Sequence, residues 1–192
     1  MPEVKHPQGS AEWLAARAGK ITASVAAGCL GLNPHMSRQA AWRHIVGSNT
    51  EQANGAMAWG TEHEADAVAE YEAVTGLMTH TTGFWIHPRY PWLGASPDRL
   101  VGDDGMIETK CPRQHPDKVP VYHRIQMYLG LICTGRLWCD YVTWTPEECR
   151  ITRLTLPSPK MHGLVVALDK FRLAYVEKMA EPERKKANRR KK

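Results

Sequence analysis

Apolar and polar positions recur with two different periods along this chain, and the switches between them divide it into elements. Near the N-terminus Ser10 can cap a short helix in which Trp13 and Arg17 share one face at i, i+4. Gly19 interrupts that helix, a second starts at Thr22-Ala23-Ser24, and Gly28 and Gly31 end it. Asn33-Pro34 marks a turn, and Ser37 to about Val46 reads as a helix with Ala40, Ala41, Trp42 and Ile45 available to pack. Gly47 to Gly55 is a polar loop. A longer helix is predicted from Thr61, a good N-cap, to Gly76, a good C′ residue. On it Glu64, Ala67, Val68, Tyr71 and Val74 share an inward face, while Glu62, Asp66 and Glu70 form a polar stripe.

The second half of the chain changes to strand chemistry. Thr79 to His87 reads as one strand ended by Pro88. Asp104-Gly105 between two β-compatible runs predicts a tight hairpin with positive φ at that step. Pro120 fits the first turn of a helix from Val121 to about Ile132, with Val121, Ile125, Tyr128, Leu129 and Ile132 as its core face and Gln126 at the margin. Leu137 to Trp144 and Arg150 to Leu156 read as partner strands. Lys160 to about Met179 is a final helix carrying Leu164, Ala167, Leu168, Phe171 and Tyr175 along one side. Helices, then strands around a hairpin, then helix and strands again, predict an α/β domain with a mixed central β-sheet flanked by helices.

Composition narrows the class. At 192 residues the chain is long enough for one domain with a substantial core, taken as residues 1–180. Of its 25 Lys/Arg and 20 Asp/Glu, seven basic and two acidic residues lie between Glu181 and Lys192, leaving 18 of each sign elsewhere. The net charge of +5 thus belongs to a tail, 181–192, which is either a solvated disordered end or a basic arm able to track phosphates. No apolar run is long enough to span a bilayer, and Met1 to His6 lacks the apolar core of a signal peptide. Five cysteines without a C-x-x-C pair indicate reduced thiols in a cytoplasmic protein. Internal repeats, a glycine-rich phosphate loop and zinc-ligand spacing are missing from the sequence.

The hairpin concentrates the candidate chemistry. Folding at Asp104-Gly105 brings Asp98 within a residue or two of Glu108-Thr109-Lys110, and Glu108 and Lys110 project from the same strand face. Paired carboxylate oxygens suit a hard cation such as Mg²⁺, which can activate water for attack on phosphorus. An ordinary surface hairpin with an ion pair is the plain alternative. Glu64, at the start of an inward helix face, needs a partner or a metal to offset its desolvation. Thr61-x-x-Glu64 is also a capping box, which would return Glu64 to the Thr61 backbone N–H. His63 points off the apolar face and is the weaker ligand candidate. Read without further context, Arg17 is a surface residue, Ser24 a local cap and Gln126 an ordinary helix glutamine.

Pro97-Asp98 followed by Glu108-Thr109-Lys110 resembles the PD-(D/E)xK nuclease signature. With Ser96 before it and Cys111-Pro112 after it, the stretch is similar to the lambda-exonuclease-like, or YqaJ-type viral recombinase, branch of that superfamily. Trp13-x-x-x-Arg17-x-Gly19-x-Ile21-Thr22-Ala23-Ser24 resembles the N-terminal motif of the same family, and Trp59-Gly60-x-x-x-Glu64 its first metal-binding carboxylate. Gln126 resembles the glutamine that follows the ExK motif. These motifs occur in the family's order over Trp13 to Trp144, with one departure: Arg99 stands where relatives commonly place Gly.

The resemblance implies a PD-(D/E)xK restriction-endonuclease-like core and a Mg²⁺-dependent 5′→3′ exonuclease, with Mn²⁺ able to substitute. Its substrate would be linear double-stranded DNA, from which it releases mononucleotides and leaves a 3′ single strand for homologous recombination. Glu64, Asp98, Glu108 and the Thr109 carbonyl would hold metal, Lys110 and Gln126 would serve the attacking water, and Arg17, Ser24 and Ser96 would bind the 5′-phosphate. Implied partners are DNA ends, a single-strand annealing protein and two further copies in a homotrimer, with no membrane, in a bacterial or phage-infected cytoplasm. The alternatives are an endonuclease or repair nuclease of the same superfamily, a non-catalytic DNA-end-binding module and, with the cysteine spacing against it, an iron–sulfur nuclease.

Overall fold

The computed structural model describes residues 2–47, 55–155 and 157–189. Local rules account for the first helices. Ser10 accepts the Trp13 N–H to start α1 (Ala11–Arg17), and Ser37 accepts the Ala40 N–H to start α3 (Arg38–Ile45). Between them, α2 (Ala23–Leu30) ends at Gly31 in the left-handed conformation, φ +72°. The predicted loop at Gly47 to Gly55 falls largely outside the described residues.

The long helix α4 (Gly55–Thr75) starts six residues before Thr61. Thr61 is therefore interior, and the capping-box role for Glu64 is excluded. Val74, expected on the inward face, is 61% exposed, whereas Ala67, Val68 and Tyr71 are buried. The run Thr79 to His87 is two strands, β3 (Thr79–His80) and β4 (Phe84–Ile86), which belong to different sheets.

The structure has the predicted mixed α/β architecture with flanking helices, and among the described residues its strands divide between two mixed sheets. The first has β1 (Glu3–Val4), β4, β5 (Leu93–Ala95) and β2 (Ile21–Thr22) in that order, with only β2 and β5 parallel. The second runs β3, β6 (Arg99–Val101), β7 (Gly105–Lys110), β8 (Trp138–Thr145) and β9 (Glu148–Thr155), with only β7 and β8 parallel. A parallel pair needs a crossover, and α5 (Val121–Thr134) supplies it. Pro120 is the N-cap of α5, just outside its first turn, and Val121 is 45% exposed, so the buried face begins at Ile125.

The β6–β7 hairpin forms with Arg99 opposite Ile107 and Val101 opposite Gly105. Its positive φ lies at Gly102 (+49°), not at Asp104-Gly105. Gly105 instead opens β7, where a Cβ would lie 2.1 Å from the Trp138 ring.

Three apolar clusters hold these layers. Val25, Ala26 and Cys29 of α2 pack with Leu93, with Leu129 and Ile132 of α5, and with Leu168 and Phe171 of α6 (Ser158–Arg189). Met127 and Leu131 of α5 cover one face of the five-stranded sheet through Met106 and Cys139, and Val68 and Tyr71 of α4 cover the other through Ile107 and Val142. On the α4 face Asp140 is buried and accepts two 2.8 Å bonds from Arg153 and one of 2.8 Å from the Tyr71 hydroxyl. Helix α6 continues to Arg189, beyond the expected end at Met179, so most of segment 181–192 prolongs a helix. All five cysteines are free thiols. Among the described residues no helix is long and apolar enough to cross a membrane.

Candidate active site

Hairpin register decides how the first charges meet. With Arg99 opposite Ile107, Asp98 falls beside Glu108 at the end of the strand pair. Asp98 Oδ2 accepts the Thr109 backbone N–H at 2.7 Å and the Thr109 hydroxyl at 2.8 Å, which fixes the carboxylate against the strand that carries Glu108 and Lys110. Glu108 alternates with Ile107 along β7, so it faces α5, and Gln126 of α5 reaches it. Lys110 and Gln126 both donate to Glu108 Oε1. Glu64 arrives from α4 on the other side, and Arg99 donates to its Oε1 at 3.2 Å while also donating to the Asp98 carbonyl at 2.6 Å.

Burial pushes the Glu108 carboxyl up to about 7, opposed by Lys110 and reinforced by Asp98 and Glu64. Burial also raises Glu64, again with help from Asp98 and against Arg99. For Lys110 burial acts to lower the pKa, but Glu108 and Asp98 outweigh it and the ammonium is held charged. Glu64 and Glu108 are thus made costlier to ionise by burial and by the Asp98 charge, and two side-chain cations offset part of it.

Among the described residues no three His, Cys, Asp or Glu side chains are gathered closely enough to hold a metal ion between them as they stand. Arg99 draws Glu64 one way while Lys110 and Gln126 hold Glu108 another. The donor set nevertheless fits a hard divalent cation. All three carboxylates line one cavity, and among the described residues each accepts protein hydrogen bonds at a single oxygen.

Another part of the cavity wall is built by α1, α2 and Ser96 of the β5–β6 connection. Arg17 lies flat over the Trp13 ring, 4.0 Å from its centroid, and donates to Ser96 Oγ at 3.3 Å and Ser24 Oγ at 3.4 Å. Trp13 Nε1 also donates to Ser96 Oγ, at 3.2 Å. Ser24 sits in the first turn of α2, where backbone N–H groups are unpaired, and the Thr22 hydroxyl lies 3.2 Å from its Oγ. Desolvation lowers the Arg17 pKa to about 10, which leaves it cationic at neutral pH. A guanidinium fork, two hydroxyls and a helix start are together chemically suited to receive an anion.

All nine residues singled out from the sequence line the same cavity of about 760 Å³: Arg17, Ser24, Glu64, Ser96, Asp98, Glu108, Thr109, Lys110 and Gln126. Arg17 and Ser24 thus both face the cavity, and the N-cap of α2 is Thr22 and not Ser24. His63 stays out of the cavity lining, with its ring centroid 3.8 Å from that of Trp59 and 5.3 Å from that of Trp144. The cavity also takes in His35, Tyr122 and His123, which the sequence reading passes over. The i, i+3 spacing of His123 and Gln126 is the one signal that could have found His123.

A family model for the YqaJ-like viral recombinase domain matches residues 12–137. The chain belongs to this family. LHK-Exo, an alkaline exonuclease from Laribacter hongkongensis, is 33% identical, with a TM-score of 0.77 over 94% of this chain and 99% of that one. Its complex with dAMP superposes equally well. A phage-related exonuclease from Haemophilus somnus 129PT shares the fold at 15% identity and a TM-score of 0.61, over 86% of this chain and 99% of its own. No curated protein sequence matches the chain. The YqaJ-type match spans all four motifs, from Trp13 through Gln126, and every one of them contributes to the cavity wall.

Proposed function

We propose that this YqaJ-family chain is a Mg²⁺-dependent 5′→3′ exonuclease on linear double-stranded DNA, releasing mononucleotides and leaving a 3′ single strand for homologous recombination. One observation carries the reading: an anion receptor and an acid–lysine cluster line the same cavity. A strand whose terminal 5′-phosphate sits at Arg17, Ser24 and Ser96 would present a nearby phosphodiester to Asp98, Glu108 and Lys110. The exonuclease relative at 33% identity, LHK-Exo, supports the same class of activity.

Glu64, Asp98, Glu108 and the Thr109 carbonyl would hold one or two Mg²⁺ ions, with Mn²⁺ able to substitute. The bound metal would supply a water of lowered pKa and charge stabilisation at the pentacoordinate phosphorus. Lys110, held cationic beside Glu108, orients the attacking water and receives charge from the phosphoryl oxygens. Gln126 anchors Glu108 and keeps the lysine and carboxylate in one geometry. Asp98 keeps its orientation through the two Thr109 bonds. Arg17 supplies a bidentate fork to the end phosphate, and Trp13 braces it from below.

A homotrimer encircling DNA, a single-strand annealing partner and a cytoplasmic setting complete the proposal. The test is digestion of linear duplex labelled separately at each 5′ end and each 3′ end, with and without Mg²⁺, beside covalently closed circles. Release of 5′ label as mononucleotide from linear DNA alone is the expected result. Cleavage of the circle would favour the endonuclease or repair-nuclease alternative, and binding without metal-dependent cleavage would favour an end-binding module.

A further inference from the structure

His123 belongs to the cavity wall but has no part in the motifs that resemble the nuclease family. It lies on α5 three residues before Gln126, so the helix turns both side chains the same way. Its ring contacts that of Tyr122 edge-on, at a centroid distance of 4.3 Å and 64°. Its Nδ1 lies 2.7 Å from the Tyr141 hydroxyl, and Tyr141 is the β8 residue directly across from Glu108.

The direction of that bond follows from accounting for protons. Tyr141 is only 3% exposed, and among the described residues its hydroxyl has no other hydrogen-bond partner than His123. If Nδ1–H donated, the Tyr141 proton would be buried without an acceptor, at a cost of about 1–3 kcal/mol. So Tyr141 donates and Nδ1 accepts. An accepting Nδ1 means a neutral imidazole with its proton on Nε2. Burial, and then the charge of Lys110, press the same way, lowering the His123 pKa to about 3. Tyr141 for its part is held protonated by burial, which raises its pKa.

Among the described residues Nε2 bonds to no protein acceptor, yet it is not one of the buried polar atoms left unsatisfied. Tyr141, bound at the Nδ1 edge, does not line the cavity whereas His123 does, which points to the opposite, Nε2 edge as the one that meets it. The result is an unpartnered N–H donor between Gln126 and Tyr122, close enough to Lys110 to feel its charge. Lys110 attracts an anion to this wall. A neutral donor can orient that anion's oxygen without adding a second cation to compete for Glu108.

We propose that His123 donates a hydrogen bond from Nε2 to a phosphate oxygen of the bound strand, and that Tyr141 is the positioning residue that fixes which ring nitrogen carries the proton. The inference rests on the exonuclease reading, because it takes a phosphodiester in this cavity as its ligand. His123 would then act on the strand directly, and Tyr141 only through it.

The test combines binding with a direct view of the tautomer. Full-length wild type, His123→Phe, His123→Gln and Tyr141→Phe are titrated with a short 5′-phosphorylated duplex in Ca²⁺, and turnover is measured in Mg²⁺. Loss of the donor in His123→Phe should cost about tenfold in affinity and kcat/KM, and His123→Gln, which keeps an N–H, should recover most of it. Two-bond ¹H–¹⁵N spectra of the histidine rings should show the Nε2–H form for His123 in wild type and a mixture in Tyr141→Phe, with a severalfold loss of affinity. Thermal melts check that each variant is folded.

The proposal is overturned by an Nδ1–H tautomer in wild type, by His123→Phe binding as well as wild type, or by a folded His123→Gln as weak as His123→Phe. A loss that depends on the terminal base rather than on phosphate would overturn it in favour of a base contact. Wild type that neither binds nor cuts the duplex would instead remove the exonuclease reading, and this inference with it.

Discussion

Arg17→Ala is the perturbation that separates an end-directed nuclease from a general one. The Arg17 guanidinium is held by packing over Trp13 at 4.0 Å and lies 5.6 Å from the Phe84 ring centroid, so its position does not depend on a ligand. Its bonds to Ser96 and Ser24, at 3.3 and 3.4 Å, are long, so an incoming phosphate would displace weak bonds, not strong ones. The cation–π energy is present with and without DNA and cancels from the comparison. What remains is the charge-assisted fork to the end phosphate, about 1.5–3 kcal/mol, or roughly ten- to a hundredfold in kcat/KM. Wild type should prefer 5′-phosphorylated to 5′-hydroxyl duplex ends by about that factor. Arg17→Ala should lose the preference by slowing the phosphorylated substrate alone. Arg17→Lys, which keeps charge but not the planar fork, should fall between them. Initial rates on matched linear duplexes, with run length followed on gels, provide the measurement. Equal rates on the two ends by the unmutated protein would refute the receptor.

Four further outcomes follow from the same geometry. Arg99→Ala removes the cation that holds Glu64, so Mn²⁺ or Mg²⁺ should bind a few-fold more tightly by calorimetry, about 1 kcal/mol for a partly buried pair; unchanged or weaker binding would count against the competition. Because a divalent cation must displace the proton that Glu108 keeps below about pH 7, metal affinity should fall from pH 8 to pH 6 with proton uptake into buffer on binding at the lower pH, and a pH-independent affinity would contradict the assignment. Asp98→Asn and Lys110→Ala should each abolish cleavage while DNA binding persists in gel-shift assays, and normal turnover by either would remove the proposed catalytic cluster. Asp140→Ala strips a buried acceptor from Tyr71 and Arg153 on the far face of the sheet, so it should cost about 2–4 kcal/mol in urea unfolding and leave kcat unchanged in the surviving folded protein.

Local spacing made the hairpin readable: nine residues lie between Asp98 and Glu108, and a short turn among them brings the two together. The same is true of the i, i+4 pair Trp13 and Arg17, which does bring an indole under a guanidinium. Where reading failed, a distant partner decided the matter. Gly60 and Thr61 look like a helix start, yet the helix passes through them. Thr79 to His87 carries strand composition throughout, but β1 crosses at Gly83, where a Cβ would lie 2.1 Å from the Val4 carbonyl oxygen, and the run divides between two sheets. Beyond its i, i+3 spacing from Gln126, His123 carried no signal, because its meaning depends on Tyr141, 18 residues later and across a parallel crossover. Asp140 likewise owes its burial to Tyr71 and Arg153, 69 positions before it and 13 after it.

Ser96, Pro97 and Asp98 form the whole connection between β5 in one sheet and β6 in the other. On the proposed reading Ser96 touches the phosphate at the strand's end and Asp98 serves the phosphate to be cut. Two residues of extended chain span roughly 6–7 Å, a length comparable to one nucleotide of backbone. Pro97, buried and with its φ fixed, stiffens the link. The step size of the enzyme would then be written into three consecutive residues as a covalent ruler, and lengthening that link by a single residue should change the size of the product before it changes the chemistry that makes it.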